Sequence, residues 1–390
     1  MNILLDLLPF QFLGGVGGAS SFTKSVCDEI VRQRRKDTSL FALADTSMPE
    51  GQQYSYKDYA RQNALTILDL SADSLASLVD KHHIDVLFIP MAQFHDSASF
   101  EGIRCKTVMF IHDIFDVERN DNLIDLMLFK GSKNSKWMTF KRFYCLVTGR
   151  WKKGARRRYD GLMPLYTAKN TVPYTVSEYT RSSLLYYFPQ LEDNPPRVCY
   201  SPLKHPVVSG TIDNDCLRRL VDSGVPFLLF LAADREYKNV ELILKVFPQI
   251  KREYPQLHLL TLKLGHTVHA DHTDIDFLSD SDLEHAYRHA SVLVFPSFFE
   301  GFGYPPVEAM RHGTPSVVSN VTSIPEVMGE AAEYFSPFYP ADLYRALCRV
   351  LANRDEYRER MARRLEELRN IQNRQLNALV EEIYSPSISH

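Results

Sequence analysis

The sequence predicts an α/β chain built from two Rossmann-like units, on three observations. Residues 2–8 are an apolar stretch followed by Gly14-Gly-Val-Gly-Gly18, and a helix is expected from about Ser20 to Arg34. Pro226–Leu231 opens a fresh apolar strand that runs into the polar turn Ala232–Asn239 and a helix over about 239–253. Ala290–Phe295 is a third short apolar run, followed by a loop holding Glu300, Gly301, Phe302 and Gly303 and a helix from Val307 to His312. Apolar runs this short and rich in β-formers read as buried parallel strands. Strand, loop and helix in that order put the loop at the carboxyl end of a strand, where open α/β sheets bind ligands.

Length and composition agree with this. At 390 residues the chain is long enough for two domains with full cores. A net charge of −3 argues against wholesale nucleic-acid binding. The six cysteines (27, 105, 145, 199, 216 and 348) are scattered, with no metal-ligand spacing, which favours a reducing, cytoplasmic compartment over a disulfide framework. The apolar start has no basic flank and meets glycines directly, so it reads as a first strand and not as a signal peptide. No window reaches the roughly 18 apolar residues of a membrane span.

The first half reads as follows. Ser39–Ala44 is a strand, 46–63 a polar loop or insertion, and Ser71 caps a helix to about Lys81 that leads into strand Ile84–Ile89. Lys106–Ile111 is another strand and delivers His112 and Asp113 at its carboxyl end, where the imidazole can donate or accept a hydrogen bond to a hydroxyl. Strand 171–177, a helix over 178–188 and a last strand 198–204 complete the half, and 205–214 reads as the linker. These boundaries give domains of 1–204, joined by a C-terminal helix over about 371–390, and 205–370.

In the second half, Leu257–Leu264 is a strand, 281–289 a helix, and 342–353 and 355–384 helices, the last expected to be bent or broken. Residues 126–159 hold eleven Lys/Arg, no Asp or Glu, and both tryptophans, Trp137 and Trp151. That mixture fits either an interfacial helix on an anionic membrane or a solvated basic face over a core. It also suits an anionic lipid-linked or phosphorylated acceptor; no nucleic-acid motif accompanies it.

The glycines of the 300–303 loop allow close backbone approach, and Pro305 and Pro306 suit the first helical turn, whose N–H groups can face an anion. Glu300 and Glu308 are carboxylates eight positions apart, and a carboxylate accepts well from vicinal hydroxyls. Lys238 sits at a helix start, where a pyrophosphate would meet both its ammonium and the helix N–H groups.

This text, continuing through Gly313–Asn320 and Ser323–Ala332, resembles the E-x7-E signature of retaining GT-B glycosyltransferases, family 4. The resemblance is specific over about 290–337. It implies a GT-B fold, two Rossmann-like domains facing across a cleft, with the C-terminal helix crossing back to the N-terminal domain. It further implies a nucleotide-sugar donor and a glycan or lipid-linked acceptor, no metal or other cofactor, and a cytoplasmic protein that associates peripherally with the inner membrane face. Glu308 would hold the donor ribose, and Glu300 with the backbone of Phe302 and Gly303 the donor sugar. Lys238, Arg235 and the N–H groups near Tyr304 would hold the diphosphate, with Gly15 beside it. His112, near both the donor sugar and the acceptor, would be catalytic with Glu300 and Lys238, and Asp113 and Gly17 would line the acceptor side. The motif most resembles bacterial mannosyltransferases of surface polysaccharide, which favours GDP-mannose.

One departure stands out. Family members usually carry arginines where this chain has Ala233 and Tyr237. That keeps open a non-catalytic nucleotide-sugar-binding subunit, beside an epimerase or hydrolase on the same fold. A two-carboxylate glycosidase would use the paired glutamates but explains neither the glycine loop nor Lys238. A dinucleotide oxidoreductase is disfavoured by the spacing of the first glycine cluster.

Overall fold

The computed structural model describes residues 1–12, 17–51, 53–95, 100–121, 148, 159–203 and 210–385. Gly15 and, apart from Thr148 and Tyr159, the basic stretch 126–159 lie outside the described residues. Two compact units result: Met1–Asp116 with Lys152–Lys204 and Ile371–His390, and Val117–Trp151 with His205–Asn370.

The first unit has seven parallel strands: β1 (Asn2–Asp6), β2 (Ser39–Ala44), β3 (Thr66–Asp69), β4 (Val86–Ile89), β5 (Lys106–Ile111), β6 (Thr171–Thr175) and β7 (Arg197–Val198). Their order is β3-β2-β1-β4-β5-β6-β7. Among the described residues its helices are α1 (Gly18–Arg32), α2 (Tyr56–Gln62), α3 (Leu75–Lys81), α4 (Phe115–Asp121), of which only Phe115 and Asp116 are grouped with this unit, and α5 (Glu178–Tyr187). Central strands β4 and β5 are buried along their whole length, as expected of a sheet covered on both faces.

The second unit has six parallel strands: β8 (Phe227–Phe230), β9 (His258–Leu262), β10 (His272–Ile275), β11 (Val292–Phe295), β12 (Ser316–Ser319) and β13 (Glu333–Phe335), in the order β10-β9-β8-β11-β12-β13. Its helices are α6 (Asp215–Asp222), α7 (Val240–Glu253), α8 (Asp280–His289), α9 (Tyr304–Arg311), α10 (Ile324–Met328) and α11 (Pro340–Ala352). The two-residue period of β8 divides its side chains between two cores. Leu228 and Phe230 meet Ile243, Phe247, Leu343 and Leu347 of α7 and α11. Phe227 and Leu229 meet Leu217, Ala286 and Ala309 of α6, α8 and α9.

Both sheets reverse direction of growth between their first and fourth strands, at β1/β4 and β8/β11. This is the doubly wound order, with a ligand crevice at each switch point.

The last helix, α12 (Arg354–Ile383), starts in the second unit and ends in the first. It is one unbroken helix of 30 residues, where a bend or break was expected. Its first half is anchored in the second unit, where Arg364 donates to Val327 O (3.0 Å) and Glu326 O (2.7 Å). In the first unit, Gln375 Oε1 accepts from Tyr200 N at 2.8 Å, and Tyr384 donates to Ile30 O at 2.7 Å.

Several local expectations shift. The expected loop 46–63 contains α2, capped by Ser55, whose Oγ accepts from Asp58 N at 3.1 Å. Ser71 does not cap α3: Asp69 captures both its N–H and its hydroxyl, and Ser74 caps the helix three residues later. The strand expected over 198–204 is only Arg197–Val198, and α6 and β10 were not foreseen.

Candidate active site

The two loops that leave the β8/β11 switch point converge on one ion pair. The loop after β8 turns through a 3-10 turn, Glu236–Lys238, and then Asn239 in the left-handed conformation (φ 59°) before α7 begins. Lys238 therefore ends the turn that leads into the helix, two residues before its first residue, Val240. Its ammonium lies 2.6 Å from Glu300 Oε1 and 4.5 Å from the centre of the Phe295 ring. Charge-assisted pairing and the face of the aromatic ring both stabilise a cation there.

Glu300 is held by its backbone as well. Its N–H donates to Thr322 Oγ1 (3.1 Å), and its carbonyl accepts from Ser323 Oγ (2.9 Å). Ser319 Oγ donates to Ser297 O (2.6 Å) in the same pair of loops. Asn239 does not cap α7; its Nδ2 donates to Pro296 O (3.2 Å) and Pro337 O (3.0 Å) and so brackets the loops after β8, β11 and β13. Sequence reasoning missed Asn239, Thr322 and Ser323. Nothing in their local text marks them.

Gly303 is left-handed (φ 89°) and directly precedes α9, and a Cβ there would lie 2.5 Å from Ile324 Cδ1. Only glycine makes this turn without strain. Four further non-glycine residues at the carboxyl edge of this sheet have positive φ: Ala232, Asn239, Lys263 and Thr322. Backbone held in such conformations collects at functional sites.

Phe302 is buried and packs edge-on to Tyr304 at 5.6 Å. Glu308, in α9, is 6% exposed, and its Oε2 accepts from the buried Tyr287 hydroxyl at 2.7 Å.

Arg235 is exposed, and its Nη1 lies 3.2 Å from the Tyr237 hydroxyl. The Tyr237 carbonyl accepts from Phe298 N at 2.8 Å, and Lys238 lies 5.2 Å from the Tyr237 ring. Ala233 is part of the hydrophobic core and donates its N–H to Leu262 O. Arg235, Lys238, Glu300, Phe302, Gly303, Tyr304 and Glu308 thus belong to the same edge of one sheet.

His112, Asp113 and Gly17 belong to the first unit. His112 Nε2 lies 2.8 Å from Pro90 O, and its ring stands edge-on to Phe22 (4.6 Å, 85°). A carbonyl can only accept, so Nε2 carries the proton in the neutral ring. Among the described residues Nδ1 makes no hydrogen bond. Burial pushes the His112 imidazole down to about 4, against the smaller opposing effect of the Pro90 carbonyl.

Asp113 Oδ1 accepts from Phe115 N (3.2 Å), and its carbonyl accepts from Gln93 Nε2 and Tyr159 Oη. Gly17 (φ 122°) precedes α1, and its carbonyl accepts from Ser21 N. Asp6, at the end of β1, was not singled out from sequence. Its Oδ2 lies 2.7 Å from His95 Nε2, with both side chains essentially inaccessible, and its Oδ1 accepts from Leu8 N.

Comparison with known proteins places this edge in a recognisable context. Residues 218–367 match the family model described as glycosyl transferases group 1. The chain is 32% identical over 155 residues to the serotype-specific mannosyltransferase WbdA of Escherichia coli, a match covering 36% of this chain and 19% of that protein. It is 49% identical over 63 residues to O-antigen chain mannosyltransferase B of Escherichia coli, 16% of each chain. The matched region is thus about a fifth of the WbdA chain and a sixth of the other.

Among solved structures, Anabaena Alr3699/HepE in complex with UDP-glucose superposes with a TM-score of 0.64 at 14% identity, covering 98% of this chain and 100% of that one. At that identity the likeness speaks for the fold alone. The chain is a GT-B protein by fold, and its segment 218–367 is similar to the group 1 glycosyl transferases.

Proposed function

We propose that the chain is a retaining glycosyltransferase of the E-x7-E type that moves a sugar, mannose from GDP-mannose, to a hydroxyl of a glycan or lipid-linked acceptor in bacterial surface polysaccharide synthesis. The observation that carries this is the convergence of Lys238, Glu300, Gly303 and Glu308 at one switch point, inside the segment that matches group 1 glycosyl transferases. The names of the Escherichia coli relatives favour mannose. The nucleotide-sugar in the HepE complex supports a donor of that class.

In this reading Glu308 accepts from the ribose hydroxyls and Glu300 from a hydroxyl of the donor sugar. Lys238, Arg235 and the N-terminus of α9 neutralise the diphosphate. Negative charge grows on that diphosphate as the bond from the anomeric carbon to its oxygen breaks. Fixed positive groups therefore stabilise the transition state more than the bound substrate. The acceptor oxygen bonds to the anomeric carbon on the same face, and its proton passes to a diphosphate oxygen. His112 and Asp113 serve the acceptor side, with the Nδ1 lone pair of the neutral imidazole as a hydroxyl acceptor. No metal takes part in this scheme, so chelator treatment should leave turnover unchanged.

Calorimetric titration with GDP, UDP, ADP and dTDP, repeated on Glu308→Ala, tests the donor site. Selective GDP binding that is lost in the variant is expected. Turnover of GDP-mannose with a mannosylated acceptor, with the product's anomeric configuration read by NMR, tests the transfer. Absence of binding to all four nucleotides at millimolar concentration overturns the reading in favour of a non-catalytic subunit.

A further inference from the structure

Tyr287 is one of the largest side chains buried in the molecule, and neither motif nor spacing marks it. It lies on α8, away from the loops of the switch point, yet it reaches across to α9. His312, the residue that ends α9, lies four positions after Glu308 and so falls on the same side. The Tyr287 ring lies parallel to the His312 imidazole (centroids 5.9 Å apart, planes 6° apart). Its hydroxyl ends 2.7 Å from Glu308 Oε2, and its carbonyl accepts from Thr314 Oγ1 just beyond α9. Ring, hydroxyl and main chain are therefore each pinned.

A phenol has one proton to give, and here it goes to a carboxylate that is itself buried. A charged acceptor makes this bond short and directional. Burial, and then the Glu308 charge, push the Tyr287 hydroxyl well above its ordinary value, so it remains a donor over the whole working range.

From this geometry we propose that Tyr287 is the positioning residue that sets the Glu308 carboxylate for recognition of the ribose diol, and so enforces ribo over 2′-deoxy nucleotides. The proposal rests on the ribose role of Glu308 given above. With Oε2 held by Tyr287, rotation of the carboxylate about its last torsion is restrained and one orientation of its acceptor positions is favoured. A diol needs that orientation to donate twice; a 2′-deoxy sugar donates once and loses less when the restraint is weakened. Tyr287 touches no substrate in this arrangement.

The test is calorimetric titration of the full chain with GDP and UDP and their 2′-deoxy counterparts, and with inorganic pyrophosphate. The proteins compared are wild type, Tyr287→Phe and Glu308→Gln. The phenylalanine ring keeps the stack on His312, so pyrophosphate should bind Tyr287→Phe as it binds wild type. The ribo-to-deoxy affinity ratio should fall at least threefold in Tyr287→Phe and at least as far in Glu308→Gln. A wild-type ratio in Tyr287→Phe, with the ratio collapsed in Glu308→Gln, overturns the positioning role and leaves the ribose role standing. Equal loss of nucleotide and pyrophosphate in Tyr287→Phe also overturns it, because a packing role alone predicts that. An unchanged ratio in Glu308→Gln removes the ribose role and the proposal with it.

Discussion

Lys238 Nζ and Glu300 Oε1 are 2.6 Å apart across the β8/β11 switch point, and the two side chains are only 8% and 12% exposed. The same relationship recurs in the other unit, where Asp6 and His95 meet at 2.7 Å across the β1/β4 switch point. In each sheet an acid and a base from the carboxyl ends of the two strands at the reversal meet each other. The pair in the second unit is the more consequential. A cation and an anion assigned to diphosphate and to sugar neutralise each other before either ligand arrives. Nearly buried ions are costly unless paired, and here each satisfies the other. If Lys238 holds the diphosphate and Glu300 the sugar, as proposed, a diphosphate that takes Lys238 would release Glu300 and tie sugar recognition to phosphate binding.

Glu300→Gln separates these two roles. Without its counter-ion Lys238 is free for phosphate, so free GDP should bind about three- to tenfold more tightly, a change of about 1 kcal/mol. Turnover of the nucleotide-sugar should fall by at least about a hundredfold, as expected when a group aimed at the reacting sugar is removed. Calorimetry and initial rates on the same preparation give both numbers. An unchanged or weaker GDP affinity would show that the resting ion pair does not compete with the diphosphate.

The His112 imidazole makes the acid side of stability testable. Its folded value near 4 lies below the ordinary 6.5, so between those values the unfolded chain binds the extra proton. Stability therefore rises with pH across that window, is fully present above about 6.5 and is lost as pH falls towards 4. A shift of this size corresponds to about 3 kcal/mol. His258, His272 and His312 are also held low by burial and contribute slopes of the same sign. The comparison that isolates His112 is thus wild type against His112→Gln by denaturant unfolding at pH 5 and pH 7.5. The variant should lose less stability between the two pH values. Equal losses in both proteins would mean that His112 is not the buried neutral ring described.

β2 and β5 were legible from their apolar runs, over Ser39–Ala44 and Lys106–Ile111, and β5 is buried along its whole length. Three of the missed strands, β3, β10 and β13, are edge strands; the fourth, β12, is an interior strand of four residues that follows Pro315 directly. β3 and β10 close the two sheets, and His272-Thr-Asp-Ile275 has no apolar run to find. The α2 helix hides in a polar stretch that only its Ser55 cap betrays. At the site, Glu300, Gly303, Glu308 and Lys238 could be named from their local text. Their partners could not, because Glu300 is 62 positions from Lys238 and His95 is 89 from Asp6. Tyr287, Asn239 and Thr322 act through contacts that no spacing encodes.

Gly303→Ala should be destabilising by about 1–3 kcal/mol, from the positive φ and from the Cβ placed against Ile324 Cδ1. Ile324→Val in the same chain removes that δ-methyl, and the double variant should recover the steric part while the backbone strain remains. Additive losses in the double variant, measured by thermal unfolding, would place the cost elsewhere in the loop.

The end of α12 gives the last prediction. Lys106, at the start of β5, and Glu382 are both nearly inaccessible and form an ion pair; Arg197 Nη1 adds a second cation, 2.5 Å from Glu382 Oε2. Burial raises the Glu382 carboxyl, but the hydrogen bonds from Lys106 and Arg197 outweigh it and hold the group below its ordinary range. One anion thus serves two cations, and removing it should cost more than removing either cation. Lys106 also donates to Glu382 O (2.8 Å) and Ser385 O (3.0 Å), so part of its satisfaction survives any change at the carboxylate. Arg197 is 40% exposed, and water replaces much of what it loses. Denaturant unfolding should therefore rank Glu382→Gln (about 3 kcal/mol) above Lys106→Met (about 2) and both above Arg197→Ala (about 1 or less). Because the Glu382 carboxyl is held low, the difference between wild type and Glu382→Gln should be full at neutral pH and shrink as pH falls below the usual carboxylate range. A pH-independent difference, or Arg197→Ala as the most damaging change, would mean that helix packing and not this charge cluster fastens the end of α12 to the first unit.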